Sequence, residues 1–264
     1  MRILVIGDIV GEPGRNIIRD LLPLLKEEEK IDFVIANGEN AAGGSGITPK
    51  ITQELLAYGI DVITTGDHIW KRKEVLEIID REPRLLRPAN YPSGAPGKGS
   101  VIVTASNNVK VGVINLVGRI FMEPLECPFR IGEEETERIS KSTKNIIVDI
   151  HAEATSEKIA LGYFLDGKVS AVIGTHTHVQ TADEKILPKG AAYITDIGMT
   201  GSSSSVLGRE VEPIIKRFLT GLPAHFDVAK ENPVISGVIL EINPETGQTT
   251  KIQRIAYQSR PNSS

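Results

Sequence analysis

The sequence predicts an α/β fold built on a mixed sheet or a sandwich. Three observations carry that reading. Short, continuously apolar, β-branched runs recur along the chain: RILVIG, FVIA, DVITT, NIIVDI and VSAVIG. Stretches of helical periodicity separate the early ones, which is the pattern of βαβ units. The end of the chain is strand-rich, so the sheet is expected to be mixed.

Taken in order, RILVIG reads as a buried strand. Residues 14–29 follow as a helix, with Ile17, Ile18, Leu21, Leu22, Leu24 and Leu25 at helical spacing. Pro23 is expected to kink that helix or to start a second one. FVIA is the next strand. Thr48 is placed to cap a helix with Pro49 at its first position; the helix runs to about Tyr58, where Gly59 stops it. DVITT is a third strand, and Lys71 to Ile79 reads as a polar-faced helix. Pro83 to Gly99 carries four prolines and reads as loop. VIVTAS and VKVGVINLV, parted by Asn107-Asn108, form an antiparallel pair. A charged helix is expected over 132–142, and another over 154–165 between the strands NIIVDI and VSAVIG. The tail supplies strands near 191–195, 234–243 and 249–256 and a helix near 210–219, with Gly201 to Ser205 as a loop. No repeat or linker divides the chain, so residues 1–264 are expected to form one domain.

Composition narrows the function. Forty per cent hydrophobic and 24% charged residues are ordinary for a globular chain of 264 residues. A net charge of −4 leaves no basic footprint for general nucleic-acid binding. Cys127 is the one cysteine, which excludes an internal disulfide framework and fits a reducing compartment. Met1-Arg2 leads an apolar stretch that meets Asp8 at once, without a signal-peptide cleavage pattern, and no run approaches the roughly 18 apolar residues of a membrane span. A cytoplasmic protein without a membrane partner is expected.

The chemistry lies at the strand ends. Five apolar runs end in Asp8, in Gly38-Glu39-Asn40, in Gly66-Asp67-His68, in His151, and in Gly174-Thr175-His176-Thr177-His178. In open α/β sheets, ligand sites form beyond the carboxyl ends of strands. His176 and His178 fall on the same side if their turn is extended, since the side-chain period there is two. Imidazole with carboxylate or amide oxygen suits Zn, Mn or Fe(II) better than Mg or Ca. A carboxylate between two ions bridges them, and Glu39 is the best placed. Two ions roughly 3.5–4 Å apart clamp the attacking and leaving oxygens of a phosphoryl displacement and bring the pKa of bound water toward about 7.

Each motif taken alone reads at least as well without a function: Asp8 as a helix cap, Glu39-Asn40 as the shape of a glycine-rich loop, His151 as a strand-end histidine. Together and in this order they resemble the calcineurin-like metallophosphoesterases. More narrowly, GDIVGEPGR, ANGENAAGG, RPANYP, NLVGRIFM with CPF, DIHAEATSEK and GTHTHVQTAD are similar to the YmdB-like bacterial phosphodiesterases over almost the whole chain. The resemblance implies a four-layer αββα sandwich of two mixed sheets flanked by helices. It implies hydrolysis of phosphodiesters, 2′,3′-cyclic nucleotides among them, by attack of a metal-activated hydroxide. With the geometry expected above, it assigns Asp8, Asn40 and His178 to one metal, Asp67, His151 and His176 to a second, and Glu39 to both. His68 would protonate the leaving oxygen. Iron or manganese is the expected metal, with zinc as a further candidate.

Two departures from the superfamily pattern are typical of the subfamily. Asp8-Ile9-Val10 lacks the second histidine of Asp-x-His, and Glu39 replaces the bridging Asp, with Asn40 supplying an amide oxygen. A third is not: Asp67 stands where Asn is expected. A third carboxylate lowers the formal charge of a divalent pair from about +2 to about +1, which weakens attraction for a phosphodiester anion. The second functional reading is therefore a metal-binding regulatory module of the same fold. A metal-dependent amidohydrolase is a third, weakened by the absence of His-x-His near the first strand.

Other residues divide similarly. Glu153 is expected either to orient a histidine or to be a helix-start charge, His225 to be structural, Cys127 to be a buried small residue, and Ser202 to Ser205 to be loop. Asn90 either orients a ligand or caps a turn. Arg119, Phe121, Met122 and Phe129 either wall the substrate pocket or meet another subunit, so a homo-oligomer stays open.

Overall fold

The computed structural model describes residues 1–258, so the last six positions of the expected domain lie outside the described residues. The first sheet gathers β1 (Arg2–Ile6), β2 (Asp8–Ile9), β3 (Phe33–Asn37), β4 (Val62–Thr64), β11 (Met199–Ser202), β12 (Pro233–Ile242) and β13 (Thr249–Gln258). Its order is β2-β11-β12-β1-β3-β4, with β13 also paired to β12. The second gathers β5 (Ser100–Thr104), β6 (Lys110–Val117), β7 (Ile146–His151), β8 (Ala171–Thr175), β9 (Lys185–Ile186) and β10 (Ala192–Ile194), in the order β5-β6-β7-β8-β10-β9. Both sheets are mixed: β1, β3 and β4 run parallel while β12 is antiparallel to β1, and β6, β7, β8 and β10 run parallel while β5 is antiparallel to β6.

Strict alternation explains why these strands are apolar throughout. In β1, Leu4 and Ile6 pack outward against Ile17, Ile18, Leu22 and Leu25 of helix α1 (Gly11–Glu28) and Leu55 of α2 (Pro49–Ala57). Ile3 and Val5 point the other way, into a core shared with Val113, Ile147 and Ile173 of the second sheet. In β7, Ile146, Val148 and Ile150 face outward, packed with Leu161 and Leu165 of α4 (Thr155–Leu165) and Ile139 of α3 (Pro128–Ser140). The layers are therefore helix, sheet, sheet, helix, which is the αββα sandwich.

Several expectations change in detail. Helix α1 begins at Gly11 and passes unbroken through Pro23. Proline forgoes its own N–H bond there, yet the apolar stripe on either side stays seated on the sheet. Thr48 does cap α2, its side chain accepting from Ile51 N at 3.4 Å. The segment around Lys71 to Ile79 forms only a 3-10 turn, Lys73–Glu77. Gly201 and Ser202, expected as loop, belong to β11, which pairs with β12. Helix α5 (Val211–Thr220) forms as expected but buries none of its residues.

Candidate functional site

Parallel strands bring their carboxyl ends to one edge of the sandwich, and the expected residues arrive there from both sheets. Asp8 stands on β2, Glu39 and Asn40 follow β3, Asp67 and His68 follow β4, His151 ends β7, and His176 and His178 follow β8. Asp8, Glu39, Asn40 and His151 are buried; Asp67, His68, His176 and His178 are half-buried and form the open side.

Glu39, Asp67, His151 and His176 each offer a donor atom within 4.8 Å of the others. His151 Nε2 lies 3.1 Å from Glu39 Oε1, 3.4 Å from Asp67 Oδ1 and 3.0 Å from His176 Nδ1. Asp8 adjoins them, its Oδ1 3.8 Å from both His151 Nδ1 and His178 Nε2. The backbone must let these atoms converge. A Cβ at Gly66 would collide with His151 Cδ2 and Glu39 Oε2, so only glycine fits.

The outer nitrogens are held by partners. Thr175 Oγ1 donates to Asp149 Oδ1 at 2.7 Å, which leaves its lone pair to accept from His151 Nδ1 at 2.9 Å. That orients Nε2 toward the carboxylates. Glu153 Oε2 lies 3.2 Å from His176 Nε2, as expected of a histidine-orienting carboxylate, and Nδ1 is left facing the cluster. Asp149 itself is buried and joins the sheets: it also accepts from Asn37 Nδ2 on β3 and from Thr64 Oγ1 on β4. Its signal in the sequence was a carboxylate inside an apolar run.

The His176-Thr177-His178 turn is not extended, the condition under which the two imidazoles would share a side. Both histidines have positive φ, +102° and +65°. The loop is pinned instead by a fully buried ion pair, Lys158 Nζ to Asp196 Oδ2 at 2.8 Å. Lys158 also donates to Thr175 O, and Asp196 accepts from Thr177 N. His176 and His178 thereby reach different partners, Asp67 and Asp8. Sequence reading missed this pair because nothing in the order of residues ties Lys158 to Asp196.

Asn40 differs in detail from its expected part. Its Oδ1 takes His68 Nδ1 at 2.9 Å, while its amide nitrogen faces Glu39 Oε1 and His178 Nε2. A half-turn of the amide would present oxygen to that space. His68 is further held by its backbone N–H to Glu39 Oε2, which leaves Nε2 toward Asp67 at 3.7 Å.

The charges of the cluster act strongly on one another. Burial pushes Asp8 up to about 6, against the pull of His151 and His178. Burial also works against Glu39, but His151 and His68 hold it well below the ordinary range. Burial would lower His151, yet Glu39 and Asp67 hold it well above its usual value. Burial, then His151, pushes His176 down to about 4. Asp8 Oδ1 and Asp67 Oδ1 are buried without a hydrogen-bond partner. Unsatisfied carboxylate oxygens beside imidazole nitrogens are a donor set that fits a metal ion.

The remaining candidates lie elsewhere. Asn90 braces a loop, donating to Val117 O and Glu126 O and accepting from Val117 N. Phe129 packs on Phe164, Met122 packs against the helix-side core of the first sheet, and Phe121 is exposed. Neither these nor Arg119 line the cavity over the cluster. His225 lies outside the cluster, exposed and 3.2 Å from Asp227. Cys127 is half-buried ahead of α3, not enclosed.

Comparison with known proteins accords with this architecture. A 2′,3′-cyclic-nucleotide 2′-phosphodiesterase of Bacillus subtilis (strain 168) is 53% identical over 255 residues, which span 97% of this chain and 96% of that protein. The crystal structure of a hypothetical protein from Thermus thermophilus superposes with a TM-score of 0.91 at 41% identity, covering 98% and 99% of the two chains. That of a novel phosphatase from Mycoplasma pneumoniae superposes with a TM-score of 0.90 at 35% identity, covering 98% and 93%. Residues 4–255 match the family described as YmdB-like protein, and the chain belongs to that family.

Proposed function

We propose that the chain is a single-domain, dimetal-dependent phosphodiesterase acting on 2′,3′-cyclic nucleotides or related diesters. The observation that carries this reading is the convergence of Glu39, Asp67, His151 and His176 from one strand end and the loops after three others, beside the orphaned Asp8 Oδ1. The name of the Bacillus subtilis relative supports the substrate class. Asp8, Asn40 and His178 would hold one ion, Asp67, His151 and His176 the other, with Glu39 between them. Iron or manganese so held would supply Lewis acidity and hydroxide at neutral pH.

The chain's own residues supply the rest. Thr175 and Glu153 keep His151 and His176 turned toward the carboxylate cluster. Glu39 holds Nδ1 of His68, so Nε2 is the atom that gives a proton to the departing 2′-oxygen. The hydrogen bond to Glu39 raises the pKa of His68, against burial, which keeps the proton available near neutrality. No helix among the described residues is long and apolar enough to cross a membrane, and we place the reaction in the cytoplasm on a small phosphodiester.

Elemental analysis of the purified protein, with a panel of phosphodiesters, tests the reading. Hydrolysis of 2′,3′-cyclic nucleotides or bis-p-nitrophenyl phosphate is expected; metal without turnover favours the regulatory module. His68→Ala is expected to keep its metal and lose about 10²–10⁴-fold in kcat. Loss of metal in that variant would instead make His68 a ligand.

A further inference from the structure

We propose that the segment from Val206 to Phe226, centred on α5, is the platform that receives the nucleobase of the substrate. This inference rests on the phosphodiesterase reading above.

The cluster opens into a cavity of about 600 Å³. One wall is the site itself: Glu39, Asn40, His68, His176 and His178. The facing wall is Leu207, Arg209, Ile214, Arg217, Phe218 and Phe226. A pocket of this size is within the range that encloses a small organic ligand, and its two walls differ in chemistry. The first suits a phosphoryl group with metal ions. The second is apolar, aromatic and cationic, and the phosphate chemistry gives it no task.

The second wall is anchored at its base and uncommitted at its rim. Arg209 donates to Gly43 O, Gly44 O and Phe226 O, tying the segment to the loop that follows Asn40. Leu207 O lies 3.2 Å from His178 Nδ1. The platform is thus attached to the site from two sides. Above these anchors, Phe218 is 84% exposed, and the Arg217 guanidinium lies over the Phe226 ring at 5.3 Å. A ring and a guanidinium facing an oxyanion site match a planar heterocycle carried on a phosphorylated sugar. Stacking recognises the π-face that every base has, so little discrimination among bases is expected.

The occupant is a base and not a second copy of the chain, because this apolar surface forms the wall of the cavity over the carboxylate and histidine cluster. A partner chain would have to cover the same opening.

Binding by calorimetry of adenosine 3′-monophosphate and of inorganic phosphate to the metal-loaded protein tests this. The nucleotide is expected to bind about tenfold tighter than phosphate, as one stacked base allows. Phe218→Ala is expected to bring the two dissociation constants within about twofold of each other. Phe218 lies on a helix with no buried residue, so the variant should fold as the wild type does. Equal affinities in the wild type, or a ratio unchanged by Phe218→Ala, would overturn the platform. So would concentration-dependent sedimentation that Phe218→Ala abolishes, since the face would then belong to a subunit contact. Hydrolysis of bis-p-nitrophenyl phosphate separates the two readings. A protein that cleaves it but binds nucleotide no better than phosphate loses only the platform. A protein that binds nucleotide through Phe218 but cleaves no diester loses the phosphodiesterase assignment.

Discussion

Asp67 sits on the open side of the cluster, its side chain 30% exposed, with Oδ1 3.4 Å from His151 Nε2. Burial alone would raise its pKa, but the neighbouring His151 outweighs this and lowers it, so Asp67 enters the site as an anion. It is the third carboxylate where the related pattern has an amide. With two divalent ions the formal charge is then about +1, against about +2 for asparagine. A less positive centre attracts a phosphodiester anion more weakly and leaves water more basic. Asp67→Asn is therefore expected to raise kcat by about three- to tenfold at matched metal content, while reducing affinity for the metal. Steady-state kinetics on metal-quantified protein checks this; indistinguishable kcat values would remove Asp67 from the argument. The ligand types were legible at this scale because each follows an apolar run. The direction in which Asn40 presents its amide was not, since it depends on His68 and His178, neighbours brought in by folding.

At the scale of elements, the loop after β8 shows how a helix sets a site it does not touch. Lys158 on α4 is wholly buried, and its ammonium meets Asp196 and the carbonyl of Thr175. Asp196 in turn takes the N–H groups of Thr177 and Gly198. This clamp holds His176 and His178 in backbone conformations that non-glycine residues seldom adopt. Removing one partner leaves an uncompensated buried charge, which costs about 3–5 kcal/mol. Lys158→Met is expected to lower Tm by on the order of 10 °C and to shed metal while circular dichroism still reports a folded chain. Full retention of metal would show that the loop holds its shape without the clamp. The strands themselves were legible in the sequence because burial on both faces makes them apolar throughout. β2 and β11 were not: Asp8–Ile9 and Met199–Ser202 carry no such pattern, and pairing with distant partners makes them strands.

At the scale of the whole molecule, the site joins the two sheets. Asp149 of β7 accepts from Asn37 and Thr64 across the sandwich, directly beneath His151. Metal held by ligands from both sheets should therefore stabilise the fold as a unit. An ion that binds only the native state at about a thousand times its Kd adds about 4 kcal/mol, or on the order of 10 °C in Tm. The pH dependence has a definite sign above the ordinary 6.5 of histidine. In the metal-free protein, burial raises Asp8 from 3.8 to about 6, so the folded state holds a proton that the unfolded state has released. Its contribution is lost as pH rises through that window, while His176, pushed from 6.5 down to about 4, acts in the opposite sense over the same range. His151 is held well above 6.5 by Glu39 and Asp67, against burial, so its contribution is present below 6.5 and is lost as pH climbs further. Glu39, held low, acts in the opposite sense only in the acid range, below its ordinary 4.5. Metal binding requires these same groups to be deprotonated, so it strengthens over the range in which the metal-free protein weakens. The gain in Tm on adding Mn²⁺ to chelator-treated protein is accordingly expected to be larger at pH 8 than at pH 6. Differential scanning calorimetry at the two pH values measures it, and a gain that is flat or shrinks with pH would place the ion away from Asp8 and His151.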